Sequence, residues 1–483
     1  MFPPTFEAVS HRKDIIRRLL PIRLHILREF ELPDPMALLA ALPAEVRPAL
    51  LDSSDGSGVG WLGWSPDQEI SGKIRPNSAD EGTKNRPWPL ADHDPALALE
   101  EASSQEFWNT TDVGPGPVGG WVGWFGFECG HAWERWPWSK PYSETFPDYA
   151  FARYRRSVRW NVDGSAQLLW AELPESHLSE AEEVIREWKA WMKKADAIPK
   201  TERVPTLSLQ ATQSPRDYQN SVRVLRQWIG EGELFQANLS HVLSTQAPSD
   251  PRRFFAELRE HQPTAMSAFM EWGEDQTLLS WTPERFLSIQ GEQLKTFPIK
   301  GTAPRGKNQR EDHLSREGLE KSEKECAELN MIVDMARHDL GRLAPPGEVH
   351  VVSEGAVETF PTLYHRTAQI AAQWNPRQGL SSLMKATFPP ASVTGAPKVR
   401  ALQAIQELEG IARGPYCGCF GYWIPGEPRG DFSVLIRSAV IQGKELGVSV
   451  GAGIVWDSDP IQEWQETLLK VRYLSSNLDE ATA

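Results

Sequence analysis

Lys300 lies in Phe297-Pro298-Ile299-Lys300-Gly301-Thr302, an apolar run that ends in a glycine turn. Desolvation disfavours the ammonium form of lysine, which is how an amine becomes a nucleophile or base near neutral pH. A lysine at a strand end also snorkels, packing its stem and leaving its amine in water. The rest of the chain must decide between the two. Glu284 follows Trp281-Thr282-Pro283, near enough in sequence to meet Lys300 on a neighbouring strand as acid and amine.

Two Glu-x-x-Glu pairs, Glu325/Glu328 and Glu463/Glu466, fall on expected helices. Residues three apart share a helix face, so each pair aims two carboxylates one way. Like charges side by side are unfavourable without a cation between them. Four oxygen donors from two facing helices suit Mg²⁺, which combines carboxylates with waters and a ligand carboxylate. A solvated acidic face has the same spacing. An interior setting is favoured because Glu328 precedes a mostly apolar run to Val333. Glu466 has Lys470 one turn on, and both lie beside Gly451-Ala452-Gly453-Ile454-Val455.

Ser392-Val393-Thr394-Gly395-Ala396-Pro397-Lys398 reads as a turn opening a helix. Free N–H groups there suit a carboxylate, or ordinary capping. Arg437, inside the apolar stretch 432–440, is a fork-shaped donor for a second carboxylate or the partner of a structural acid. His365 has a structural or a ligand-binding reading. Gly301–Asn308 nearly spells a phosphate loop, but Asn308 stands where a metal-binding hydroxyl belongs. Gly418-Cys419-Phe420-Gly421 faintly resembles a glutaminase elbow and lacks its histidine companions.

These residues sit in a chain of 483 with 40% hydrophobic side chains, enough for a large core. Twenty tryptophans, including Trp61, Trp64, Trp121, Trp124, Trp133, Trp136 and Trp138, imply a dense aromatic core in the first half. The net charge of −14 argues against nucleic acid as a partner, though a local basic pocket still takes an anionic substrate. Cys129, Cys326, Cys417 and Cys419 form no C-x-x-C pair, so neither a zinc site nor a disulfide framework is expected. Arg12, Lys13, Arg17 and Arg18 precede no apolar signal core, and no run is long enough to span a bilayer. The expectation is a cytoplasmic protein.

Strands are expected at 50–64, 119–127, 150–171, 263–291, 295–300, 418–424, 431–441 and 445–455, with loops over 66–118. Helices are expected at 175–194, from Ser214-Pro215 to Ile229, and at 316–342, 395–409 and 460–476. Gln442-Gly443-Lys444 marks an antiparallel hairpin. A composition break at 194–213 divides the chain into regions 1–205 and 206–483. Strands without regular βα alternation favour an α+β fold.

Taken together, these stretches resemble the chorismate-utilising enzymes, typified by component I of anthranilate synthase and of aminodeoxychorismate synthase. The resemblance spans most of 210–475. It rests on Gly232–Ser240, Pro283-Glu284-Arg285, Pro298–Gly306, Asn330–Arg342, Ser392–Lys398, Arg413–Tyr422, Gly451–Pro460 and Gln465–Lys470. It is looser at Leu50-Leu51-Asp52-Ser53 and Gly119–Phe127. The resemblance implies two large antiparallel sheets packed as a sandwich, helices outside, and an active site in the cleft between them.

It also implies roles. Anthranilate synthases carry alanine at the Lys300 position, and lysine is typical of aminodeoxychorismate synthases. Lys300 would attack C2 of chorismate as the C4 hydroxyl leaves, and ammonia would then enter at C4 and expel the lysine. Glu284 would be the general acid and base. Glu328 and Glu466 would hold Mg²⁺, supported by Glu325 and Glu463. His365, Thr394, Gly395, Tyr416, Arg437, Gly451, Ala452, Gly453 and Lys470 would bind substrate, and Leu51, Asp52 and Ser53 would line a tryptophan pocket. Implied partners are a glutamine amidotransferase subunit that supplies ammonia and a downstream aminodeoxychorismate lyase. Ala303, His338, Pro390-Ala391 and Thr282 depart from the usual residues. The alternatives are anthranilate synthesis, aminodeoxychorismate formation for secondary metabolism, and a silent tryptophan-binding scaffold.

Overall fold

The computed structural model describes residues 20–80, 88–110, 113–198, 207–360, 363–426, 428–474 and 477–478. The four basic N-terminal residues, part of 194–213 and residues 475–476 lie outside the described residues.

Alternation along the strands explains the architecture. In Gly120–Phe125, Trp121 and Phe125 enter one apolar core, whereas Val122 and Trp124 enter another on the opposite face. A strand buried on both faces needs no polar alternation, which accounts for its continuous Gly-Trp-Val-Gly-Trp-Phe run. Its sheet has ten strands, and a second sheet has fourteen. The core between the sheets takes Trp61 and Met270 from the larger sheet, and Trp124 and Phe420 from the smaller. The outer face of the larger sheet is covered by helices Leu178–Ala195, Pro215–Gly230, Lys398–Glu409 and Pro460–Lys470. Helices Glu323–Gly341 and Gly379–Thr387 cover the smaller sheet. This is the expected α+β sandwich with helices outside. Trp61, Trp64, Trp121, Trp124 and Trp136 are at most 1% exposed, as core residues should be.

Named strands pair antiparallel except Leu20–Glu31 with Glu106–Asn109 and Ser208–Ala211 with Asn477–Leu478. Both sheets draw on both halves of the chain. Ala49–Asp52 pairs with Met266–Trp272, and Gly120–Phe125 with Cys419–Ile424.

Several expectations are corrected. The 66–118 stretch contains strands Gln68–Gly72 and Glu106–Asn109 and helix Pro95–Ser103. Asp94 caps that helix, accepting from Ala96 and Leu97 N–H, with proline at its first position. The expected helix 316–342 is two helices, Gln309–Lys321 and Glu323–Gly341. Ser322 leaves helical geometry and its hydroxyl accepts from Glu325 N–H, which places Glu325 in a first turn. The helix expected from 395 begins at Lys398, because Gly395–Ala396 is a short strand against Gln236–Ala237. The hairpin is as read, with Gln442 opposite Glu445 and Gly443 at φ 59°.

Two crossings between the sheets build the site. Gln276–Thr282 belongs to the larger sheet and Arg285–Gln290 to the smaller, so the chain changes sheets at Pro283-Glu284. It returns between Arg429–Val434 and Ser438–Gln442, where Arg437 takes a left-handed φ of 49°.

Candidate active site

A cavity of about 480 Å³ collects both crossings with residues of Ile299–Pro304, Glu323–Gly341, Glu445–Ile454 and Pro460–Lys470. That size suits a small organic ligand.

Lys300 lies on its wall, with Nζ 3.6 Å from Glu328 Oε2 and the two side chains 18% and 16% exposed. Its strand pairs with Leu363–Gln373, and the register shifts between Ile299 and Thr302. Such a bulge re-aims a side chain. Gly301 takes φ 87°, and a Cβ there would stand 3.0 Å from Glu325 Oε2 and Leu319 Cδ1. Only glycine meets both demands. A Cβ on Gly453 would lie 3.3 Å from Lys300 Nζ and 2.5 Å from Gln236 Nε2, so this glycine leaves room for the amine.

Glu284 is 5% exposed and lines the same cavity. Burial pushes its carboxyl up to about 7, against the Ser392 hydroxyl, the Lys300 charge and the Ile299 N–H. Its N–H donates to Thr282 Oγ1 at 3.2 Å and its C=O accepts from Val434 N–H at 3.0 Å. The Thr282 hydroxyl thus fixes the backbone at this crossing.

His365 Nδ1 and Thr302 Oγ1 are 2.9 Å apart, while buried Nε2 has no protein partner. Burial, helped by the Arg437 charge, pushes the imidazole down to about 4, so it is neutral at pH 7. An unpaired buried polar atom is costly and marks a place for a ligand group. Burial also disfavours the Arg437 charge, opposed only by Tyr473, and no carboxylate pairs with Arg437 among the described residues. Arginine keeps its proton even so, and a charge in such a wall calls for an anion. Tyr416 is buried and lines the same cavity, its phenol pushed up by burial.

Five carboxylates line the cavity: Glu284, Glu325, Glu328, Glu463 and Glu466. Burial raises Glu325, and Glu328 raises it further; burial raises Glu463, and Glu466 adds to that. Burial also acts on Glu466, but Lys470 at 2.8 Å outweighs it and the carboxyl is lowered. Lys470 additionally donates to Gly451 C=O at 3.0 Å. Among the described residues no three His, Cys, Asp or Glu side chains form a ready metal cage. Mg²⁺ requires none, since one or two carboxylates suffice with water and ligand oxygens. Two helices that press acids into one cavity, with Glu325 and Glu463 raised beside their neighbours, fit such an ion.

Thr394, Gly395 and Ala452 do not line the cavity. Thr394 Oγ1 donates to Pro390 and Ala391 C=O at 3.2 Å each, and Gly395 lies tight against Gln236 C=O. Ala452 is fully buried in the core. The preceding Ser392 and Val393 face the cavity instead, because the helix starts three residues beyond Gly395. Asn238, Lys324, Ser449 and Tyr473 also line it, and no sequence signal singled them out. Leu51, Asp52 and Ser53 line a separate cavity of about 240 Å³ with Arg285, Tyr422 and Asp431, and Asp52 already pairs with Arg259 at 2.5 Å.

Arg413 holds the site together. It pairs with Glu409 at 2.7 Å and donates to Asn238 and Val393 C=O. Glu409 in turn accepts from Ser240 N–H and Oγ–H. Arg413→Met strands a buried carboxylate and is expected to cost about 3–5 kcal/mol. The check is a lower denaturation midpoint at constant m-value.

Residues 47–476 match the family model described as chorismate binding enzyme. The chain belongs to the chorismate-binding enzyme family. An anthranilate synthase component I-like protein of Synechocystis is 33% identical, covering 75% of this chain and 73% of its own. Aminodeoxychorismate synthase component 1 of Salmonella typhimurium is also 33% identical, covering 75% and 77%. The crystal structure of anthranilate synthase component I from Streptococcus pneumoniae matches with TM-score 0.72 at 25% identity, covering 88% and 92%. MenF, the isochorismate synthase of Escherichia coli, shares the fold with TM-score 0.65 at 17% identity, covering 97% and 98%. This chorismate-binding enzyme is of the anthranilate and aminodeoxychorismate synthase type, and relatives of both names match about equally. No helix among the described residues is long and apolar enough to cross a membrane.

Proposed function

We propose that this chorismate-binding enzyme is an aminodeoxychorismate synthase component I, and that its product feeds 4-aminobenzoate and folate synthesis. The observation that supports this over anthranilate formation is the Lys300 amine on the cavity wall, beside Glu284 and facing Gly453. Once it has given up its proton, the Lys300 amine bonds to C2 of chorismate, the ring double bonds shift, and the C4–O bond breaks. Glu284 gives its proton to the departing hydroxyl, which leaves as water. Ammonia bonds at C4, the double bonds shift back, and the C2–lysine bond breaks. Glu284 recovers a proton from the new ammonium group.

Glu328 and Glu466, supported by Glu325 and Glu463, are the residues that would hold Mg²⁺, which neutralises charge on the ring carboxylate. Arg437 takes a substrate carboxylate, and His365, neutral, offers Nε2 to a second polar group. Arg437→Gln is expected to raise KM for chorismate about tenfold to a hundredfold, read from initial rates, because a charge-assisted hydrogen bond is worth about 1.5–3 kcal/mol. The 240 Å³ cavity is the proposed tryptophan pocket. A glutamine amidotransferase subunit supplies ammonia, a separate lyase consumes the product, and the enzyme works in the cytoplasm.

The test is incubation with chorismate, Mg²⁺ and ammonium salt, with products separated by chromatography. Aminodeoxychorismate supports the assignment. Anthranilate with pyruvate refutes it.

A further inference from the structure

Glu284 and Ser392 are the two residues that line both the active-site cavity and a small chamber of about 20 Å³ behind it. They form the wall between the two spaces. The chamber's other polar lining residues are Arg285, Thr296, Thr387 and Asp339, set among apolar residues. That volume holds one water, and a buried water needs two to four polar partners. Asp339 is 7% exposed, and its Oδ2 takes the Lys398 ammonium at 2.6 Å. Lys398 also donates to Thr387 C=O at 3.2 Å, so the pair is fixed in place.

We propose that Ser392 and one water held between Glu284 and Asp339 orient the Glu284 carboxyl, so that its acidic proton faces the substrate cavity. An ionised carboxylate only accepts, so a water beside Asp339 must donate to it. The second hydrogen of that water points at Glu284, as does the Ser392 hydroxyl. An oxygen that receives hydrogens from the chamber side is the carbonyl oxygen of the neutral acid. The O–H is then left on the oxygen that meets the departing hydroxyl. Ser392 and Asp339 are positioning residues: they act through Glu284 and do not touch the reacting carbon.

On the cavity side, Glu284 shares its space with His365, Tyr416, Arg437, Lys470 and the four helix glutamates. Lys300 comes from its strand, Asp339 and Lys398 from two helices, and Cys417 from the loop before Cys419–Ile424, its thiol held neutral at about 12 by burial. Arg285, which also lines the chamber, pairs with Asp431 at 3.1 Å.

The inference rests on the acid role proposed for Glu284, so its test does not use the reaction alone. A high-resolution crystal structure of the full chain should place one water within hydrogen-bond distance of Glu284 and Asp339. Infrared titration of the Glu284 carboxyl, assigned with Glu284→Gln, follows its protonation without substrate. Loss of a donor destabilises the carboxylate, so Ser392→Ala should move the midpoint up by about one pH unit. It should also lower kcat about tenfold, with KM within twofold. Ser392→Thr, which keeps the hydroxyl, should restore both and excludes simple misfolding. A chamber without water, or an unchanged midpoint in Ser392→Ala, overturns the proposal. Anthranilate as the wild-type product would refute the functional assignment and leave the midpoint result standing.

Discussion

Lys300→Ala is expected to lower aminodeoxychorismate formation on the order of 10³-fold or more, because it removes the only bond-forming group proposed for the protein. Folding should survive. The Lys300–Glu328 pair is partly exposed, and such pairs contribute about 0–1 kcal/mol. Chorismate affinity should change far less than kcat, since Arg437, His365 and the glutamate helices remain. Steady-state rates with ammonium salt, together with a calorimetric affinity, separate the two quantities. Activity within tenfold of the wild type would show that the amine does not attack, and would favour a scaffold role or a different chemistry.

Glu284→Gln is expected to cost about 10²–10⁴-fold in kcat, the usual range for a positioned proton donor. Glutamine keeps the shape and much of the hydrogen bonding but cannot give up a proton. The pH profile adds a sharper test. With the carboxyl at about 7, its protonated fraction falls as pH rises through neutrality. Loss of the C4 hydroxyl, which consumes that proton, should slow about tenfold per unit well above pH 7. Capture of a proton from the incoming ammonium group needs the carboxylate and should slow below pH 7. Single-turnover rates of the first step should therefore fall with rising pH in the wild type. That alkaline fall should be absent in Glu284→Gln, which keeps only the dependence imposed by the Lys300 amine, once ammonia's own titration is excluded by omitting it.

Much of this site was legible in the chain. The Glu-x-x-Glu spacing aligned each acid pair on one helix face, and the structure brings both pairs to one cavity. Lys300 stood out because a charge in an apolar strand demands a reason, and Gly301 beside it signalled the turn that proves to be a bulge. The α+β class was also readable, because its strands lack regular βα alternation, whereas the two-sheet sandwich followed only from the family resemblance.

What was hidden has physical causes. Periodicity says which face a residue occupies but not when a strand changes sheets. Nothing therefore marked Pro283-Glu284 or Arg437 as crossings, although both owe their place in the cleft to that change. The expected helix N-terminus at Thr394 and Gly395 slipped, because two residues pair as a strand before Lys398. Ser322, a capping residue inside a helical pattern, divided one expected helix and set Glu325 in a first turn. Helix Pro95–Ser103 was concealed by polar, proline-rich surroundings, even though Asp94-Pro95 is a sound start signal. Ser449 and Tyr473 reach the cavity only through tertiary packing, and their local sequences carry no trace of it.

The most direct single measurement is intact-protein and peptide mass spectrometry of the enzyme mixed rapidly with chorismate and Mg²⁺ in the absence of ammonia. Covalent catalysis requires a population heavier by chorismate less one water, mapped to the peptide containing Lys300 and lost on adding ammonium. Rapid turnover of chorismate with no such adduct, or an adduct unchanged in Lys300→Ala, would contradict it.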